Sequence, residues 1–159
     1  MSKAFTRESD DSEEQPPVRA PLPPGTRNYI TRHGADRLRQ QLAEALASKQ
    51  AAPASEQQKI EPAIRRLQHV LDSVIVADLP ADREKVAFGA TVVIRRGNGE
   101  EETYRIVGVE EAEPESGSIS WMSPLARALL SRRAGDKVKF RAPAGADELT
   151  VVSIRYEER

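Results

Sequence analysis

Apolar residues recur along this chain at two different periods, and the change from one to the other divides it. From Asn28 the spacing is helical: Thr31 can serve as an N-cap, and Ala35, Leu38, Leu42 and Ala45 follow at intervals of three and four, with Leu46 beside the last. Arg37, Arg39, Gln40, Gln41 and Glu44 fill the positions between, which gives one apolar stripe on a solvated helix. The stripe stops at Ala51-Ala52-Pro53-Ala54-Ser55, where Pro53 resists continuation and Ser55 with Gln58 can form a capping box. A second stripe of Ile60, Ile64, Leu67, Leu71 and Val74 has heptad spacing, with Arg65, Arg66, Gln68 and Asp72 off it. Two stripes joined by a short turn predict an antiparallel helical hairpin, a short coiled coil, over residues 28–78. Pro62 leaves two readings open: a kink near the start of the second helix, or the true first turn with Ser55 to Glu61 as a looser connection.

Asp78-Leu79-Pro80-Ala81-Asp82 breaks the helix, and beyond a linker at 79–85 the period falls to two. Ala90 to Arg96 reads as a strand, Gly97-Asn98-Gly99 as a turn and Thr103 to Val109 as the hairpin partner. Glu110 to Gly117 is an acidic loop, and Ser118 to Met122 a further strand. Lys137 to Ala142 alternates, with Val138, Phe140 and Ala142 on one face and Lys137, Lys139 and Arg141 on the other. Pro143-Ala144-Gly145 turns the chain, and Leu149 to Tyr156 closes the sheet. Residues 86–159 are thus expected to form a small antiparallel sheet domain with one helix, and the whole chain an α+β protein.

That one helix begins in Ile119-Ser120-Trp121-Met122-Ser123-Pro124-Leu125-Ala126-Arg127-Ala128-Leu129-Leu130, where a short apolar strand runs into a cap. Ser123 is a good N-cap, Pro124 at the next position has a pre-set φ and no N–H to lose, and Gly135 is expected to end the helix. Leu125 and Leu129 share a face with Ala128 while Arg127 looks elsewhere. A cation held on a rigid element beside the only tryptophan makes this a candidate docking surface.

Composition mostly excludes. Lys and Arg total 24 against 25 Asp and Glu, a formal charge of −1, so there is no global pull toward nucleic acid and no sequence-specific nucleic-acid contact is expected. With no cysteine, and with His33 and His69 far apart, thiol chemistry and metal sites built on these residues are ruled out. The glycines sit singly or in the Gly97-Asn98-Gly99 turn, so no phosphate loop is present and nucleotide binding is not expected. No apolar run approaches the ~18 residues of a membrane span. Residues 1–27 carry Glu8, Asp10, Asp11, Glu13 and Glu14, then five prolines, and are expected to form a disordered arm. A cytoplasmic monomer without cofactor is the expectation.

A helical hairpin followed by a small domain carrying Ile119 to Leu130 resembles the Gre family of bacterial transcription factors, particularly the GreB branch. Further matching pieces are Tyr29-Ile30-Thr31-Arg32-His33-Gly34, Phe88-Gly89-Ala90-Thr91-Val92, Arg105-Ile106-Val107-Gly108, Gly135-Asp136 and Pro143-Ala144-Gly145. The resemblance implies an RNA polymerase ligand rather than an enzyme. Its C-terminal domain would be FKBP-like and dock at the rim of the secondary channel through Ser120, Trp121, Met122, Ser123, Pro124, Leu125 and Arg127. The hairpin would enter the channel, where in this family acids of a Gly-Asp-x-Ser-Glu-Asn type motif at the tip help hold a catalytic Mg²⁺, so that the polymerase cleaves its own backtracked RNA.

The sequence departs from that pattern at the tip. Between Lys49 and Ile60 no such motif occurs, and Glu56 is the only acid between Glu44 and Glu61. Thr31 to Gln50 makes about 30 Å of helix at 1.5 Å per residue, shorter than in the family's other members. Before Ser-Pro, where Asp or Asn is common in the family, stands Met122. The reading is a regulator that docks on polymerase, lacks cleavage stimulation, and competes with cleavage-competent Gre factors. Two alternatives are a cleavage factor using Glu56 as a substitute tip acid, and an interaction module for a partner other than polymerase.

Overall fold

The computed structural model describes residues 22–142 and 145–157. The arm expected at 1–27 lies outside the described residues as far as residue 21, and so do Pro143 and Ala144. The helical hairpin is present as α1 (Arg32–Ala51) and α2 (Ala54–Ser73). Thr31 caps α1 as expected, its hydroxyl accepting the Gly34 amide at 3.0 Å. At the tip the capping box does not form. Pro53 is the N-cap of α2, Ser55 already lies inside the helix, and Gln57 instead donates its side-chain amide to the Ala52 carbonyl at 3.1 Å. Pro62 therefore falls within α2, where its ring leaves the Gln58 carbonyl without an intrahelical donor.

Two helices side by side cannot enclose their seam. Ile64, Leu67 and Val70 of α2 are buried, whereas Leu38, Leu42 and Ala45 of α1 are only half-buried and Leu46 is exposed. The base of the hairpin is tied by a short parallel pair, β1 (Asn28–Ile30) with β2 (Val74–Val76), in register Asn28 opposite Val74.

The sheet domain contains β3 (Ala90–Arg95), β4 (Glu101–Val107), β5 (Ser118–Ser120), β6 (Lys137–Ala142) and β7 (Gly145–Tyr156), in the order β5-β4-β3-β7-β6. Three pairings are antiparallel. The fourth, β4 with β5, is parallel, so the sheet is mixed rather than wholly antiparallel. Its core gathers Val92 and Ile94 of β3, Ile106 of β4, Ile119 of β5, and Leu149 and Val151 of β7. Onto this face packs α3 (Pro124–Leu129), through Ala126 and Leu129. Segment 79–85 runs along the domain: Arg133 pairs with Asp82 at 2.8 Å and with Glu84 at 3.3 Å, and the Tyr156 hydroxyl donates to the Lys85 carbonyl. The Glu84 backbone amide, which donates to Asp82 at 3.0 Å, and the Arg133 guanidinium hold the Asp82 carboxyl below its ordinary range.

Candidate functional site

The strand-to-helix junction is built from backbone hydrogen bonds and from two serine hydroxyls that accept backbone amides. β5 ends when the Trp121 amide donates to the Val107 carbonyl of β4 at 2.9 Å. The Ser120 carbonyl accepts the Ser123 amide at 2.9 Å and its hydroxyl accepts the Met122 amide at 3.1 Å, which folds Ser120 to Ser123 into a tight turn. Ser123 then caps α3, its hydroxyl accepting the Ala126 amide at 3.2 Å with Pro124 at the first helical position.

Helix α3 is only six residues long and ends at Leu129; the backbone turns at Ser131, in the left-handed region at φ 69°, not at Gly135 as expected. Gly135 is left-handed as well, but in the loop that leads to β6. The buried pair on α3 is Ala126 and Leu129, shifted from the expected Leu125, Ala128 and Leu129 face. Pro124 and Arg127 are exposed, and Met122, Ser123 and Leu125 half-buried beside them. Leu125 packs partly against the core, which leaves Pro124 and Arg127 as the exposed members of this stretch.

Ser120 and Trp121 serve inward. The Ser120 hydroxyl is spent on the turn, and the Trp121 ring stands edge-on to Tyr29 of β1, centroids 5.8 Å apart. Tyr29 in turn lies 6.0 Å from Phe88. Trp121 is thus part of the contact between hairpin and sheet domain, with its indole N–H buried and without an acceptor among the described residues.

A second contact was not visible in the sequence. The Glu111 carboxylate accepts the amides of Thr31 and Gly108, each at 2.9 Å, and the Thr31 hydroxyl. The acidic loop after β4 therefore anchors the N-terminus of α1, where a negative charge is favoured. The available signal was a pair of glycines: a Cβ at Gly34 would overlap the Glu111 carboxylate, and one at Gly108 the Tyr29 carbonyl.

At the other end of the hairpin, Glu56 is exposed in the first turn of α2. Glu61 is engaged by Lys49 at 3.1 Å. Among the described residues no group of three or more His, Cys, Asp or Glu side chains could hold a metal ion, and the tip, with Glu56 as its one acid, does not fit a divalent cation. His69 is exposed on α2. No helix among the described residues is long and apolar enough to cross a membrane.

A family model described as transcription elongation factor GreA/GreB, C-terminal, matches residues 81–156. Transcription elongation factor GreB of Neisseria meningitidis serogroup A is 41% identical over 100 residues, 62% of this chain and 61% of the relative. Transcription elongation factor GreA of Chloroflexus aurantiacus is 37% identical over 151 positions, 80% of this chain and 96% of the relative. The chain spans about three-fifths of the length of the Neisseria GreB relatives. Since 80% of 159 residues is about 127, about 24 of the 151 positions aligned with the Chloroflexus protein have no residue of this chain opposite them. A crystal structure of GreA factor homolog 1 (Gfh1) of Thermus thermophilus matches at 26% identity and TM-score 0.42, over 82% of this chain and 99% of that chain. With a relative 37% identical across 80% of its length, this chain belongs to the GreA/GreB family of transcription elongation factors.

Proposed function

We propose that this chain is a regulator of transcription elongation that docks on bacterial RNA polymerase at the secondary-channel rim, through Met122, Ser123, Pro124, Leu125 and Arg127, and does not stimulate transcript cleavage. Ser120 and Trp121 position that surface from beneath. The observation that carries the loss of cleavage is the hairpin tip. Metal-assisted hydrolysis needs carboxylates at the ion and a placed water, and the tip offers Glu56 alone, with Glu61 held by Lys49.

Reach supports the same reading. Helices of 20 residues extend about 30 Å at 1.5 Å per residue. A loss of about a dozen residues per arm would shorten the hairpin by about 18 Å. A displacement of about 1 Å already harms a reacting geometry. Docking is untouched by this loss, and competition for a shared rim needs only affinity and concentration.

The test combines purified core polymerase with the full chain. Binding that Arg127→Glu weakens, displacement of a cleavage-competent Gre factor, and unchanged RNA in a stalled, backtracked complex are expected. Absence of binding overturns the reading in favour of another partner. Shortened RNA that disappears with Glu56→Gln overturns it in favour of a cleavage factor.

A further inference from the structure

The sheet gathers cations on the face turned away from its core. Val92, Ile94, Leu149 and Val151 point into the core, which fixes the positions that look the other way. Strand register then places Arg95 of β3, Arg105 of β4, Lys137, Lys139 and Arg141 of β6, and Arg155 of β7 on one outer face. The register shift between Val93 and Ile94 is what puts Arg155 on the same side as Thr150 despite their odd spacing. Four strands contribute, so the sequence holds no basic run to announce this face.

Half of this charge is already compensated. Arg95 pairs with Glu101 at 2.8 Å, Arg105 with Glu157 at 3.3 Å and Lys137 with Glu148 at 3.7 Å. Glu148 stands opposite Lys139 in register but is taken up by Lys137. Lys139, Arg141 and Arg155 are exposed and make no ion pair among the described residues. Lysines on an edge strand guard it against unwanted pairing, which accounts for β6, the last strand of the sheet. It does not account for Arg155, because β7 is an inner strand between β3 and β6. Free cations of one sign on one side of a domain favour an anionic partner there.

The chain carries such a partner itself. Glu8-Ser9-Asp10-Asp11-Ser12-Glu13-Glu14 holds five carboxylates in seven positions, with no cation and no apolar side chain. Seven extended residues cover about 23 Å at ~3.3 Å each. Lys139 lies opposite Glu148, roughly 20 Å along β7 from Arg155 at ~3.3 Å per residue, so the two lengths match. The point of attachment fits as well: Thr31 and Arg32, just past β1, share a cleft with Arg105 and Glu157, so the chain before β1 starts at the Arg105 end of this face. Residues 15–21 add about 23 Å of reach at ~3.3 Å each. Tethering gives the segment an effective concentration of about millimolar order, which lets individually weak surface pairs act together. We propose that the acidic segment 8–14 docks on this sheet face across Lys139, Arg141 and Arg155 and shields it from other polyanions.

The chain has no cysteine, so Ser12→Cys places a nitroxide label at a single site of the full chain. Paramagnetic broadening of backbone amide NMR signals then reads the contact, and no polymerase is needed. At low salt the amides of Lys139, Arg141 and Arg155 are expected to lose intensity, while that of Leu129 on α3, against the other face, keeps it. The loss should persist on dilution and disappear at about 1 M salt, where the screening length is about 3 Å. Lys139→Glu with Arg141→Glu, both at exposed positions, should abolish it. Neutralising the arm through Asp10→Asn, Asp11→Asn, Glu13→Gln and Glu14→Gln should do the same without touching the sheet. Equal broadening on both faces, or broadening that survives neutralisation of the arm, overturns the proposal. Broadening that vanishes on dilution overturns it in favour of a contact between copies. Shifts of the same amides by a thymidine oligonucleotide, with no broadening from the arm, overturn it in favour of a nucleic-acid partner.

Discussion

The Glu111 carboxylate accepts the backbone amide of Thr31 at 2.9 Å across eighty residues of sequence. The same carboxylate takes the Gly108 amide, while the Thr31 hydroxyl caps α1 through Gly34. One side chain therefore closes the loop after β4 and secures the first turn of the hairpin. With the Tyr29 to Trp121 ring contact it fixes where the hairpin leaves the sheet domain.

Removal of that carboxylate should be felt at both ends of the contact. Glu111→Ala leaves the amides of Thr31 and Gly108 without their acceptor, and a charged hydrogen bond lost at a half-buried site costs about 2 kcal/mol. The expected result is a lower urea midpoint together with faster amide exchange at Thr31 and Gly108. Gly108→Ala should act in the same direction by a different route, because its methyl would overlap the Tyr29 carbonyl and push β1 away. Overpacking of this kind costs about 1–3 kcal/mol. Unchanged exchange at Thr31 in both variants would show that the contact does not hold the hairpin.

The parts of this fold that were legible in the sequence are those whose signal is local and repeated. The Ile64 and Leu67 stripe, the Thr31 and Ser123 caps and the β3–β4 hairpin around Gly97-Asn98-Gly99 all repeat a pattern within a few residues. The parallel pair β1 with β2 was not legible, because three residues show no period and the partners Asn28 and Val74 are 46 positions apart. The direction of β5 was missed for a related reason: parallel and antiparallel partners look alike in a three-residue strand. At the junction the sequence reading gave Trp121 to a partner, whereas its ring packs on Tyr29; an aromatic side chain says nothing about whether its neighbour lies in the same chain or in another protein. Glu111 was hidden among other acids.

Stability should depend on pH through Arg96. Its guanidinium contacts Glu102 at 2.9 Å and Asp147 at 3.0 Å, bridging β4 to β7. The hydrogen bond from Arg96 holds both carboxyls below their ordinary values, helped at Glu102 by the Tyr104 hydroxyl. A depressed carboxyl contributes stability that is complete above its unfolded pKa, about 4, and is lost as pH falls through the lower folded value. Arg96→Ala should accordingly lower the thermal midpoint by a constant few degrees at neutral pH. The difference from the unaltered chain should shrink as pH falls below about 4, where the unfolded carboxyls protonate first and the folded ones follow at lower pH. Thermal scans across that range measure it, and a gap that widened on acidification would contradict the assignment.

Pro62 offers a change in the stabilising direction. It sits at an exposed position within α2 and has no N–H to donate to the Gln58 carbonyl four residues back. Pro62→Ala restores that bond and a better helix former, a gain of up to about 3 kcal/mol in a helix interior. The expected observation is a higher midpoint for the loss of far-ultraviolet helical signal. No gain would mean that the helix bends to satisfy Gln58 by another route.

At the junction, fold and docking can be separated residue by residue. Leu129 is fully buried, so Leu129→Ala should destabilise by about 2–5 kcal/mol and lose polymerase binding only as a consequence. Ser123→Ala removes the cap, a loss of about 1 kcal/mol, and frays the first turn of α3 that presents Pro124 and Arg127. Arg127→Glu lies on the exposed side, where substitutions stay within about 0.5 kcal/mol, so its unfolding curve should superimpose on that of the unaltered chain. A docking role predicts that this same variant gives the largest loss of binding to core polymerase, and that the loss grows as salt is lowered and the reversed charge is less screened. Binding that tracks stability across the three variants would assign the junction to the fold alone.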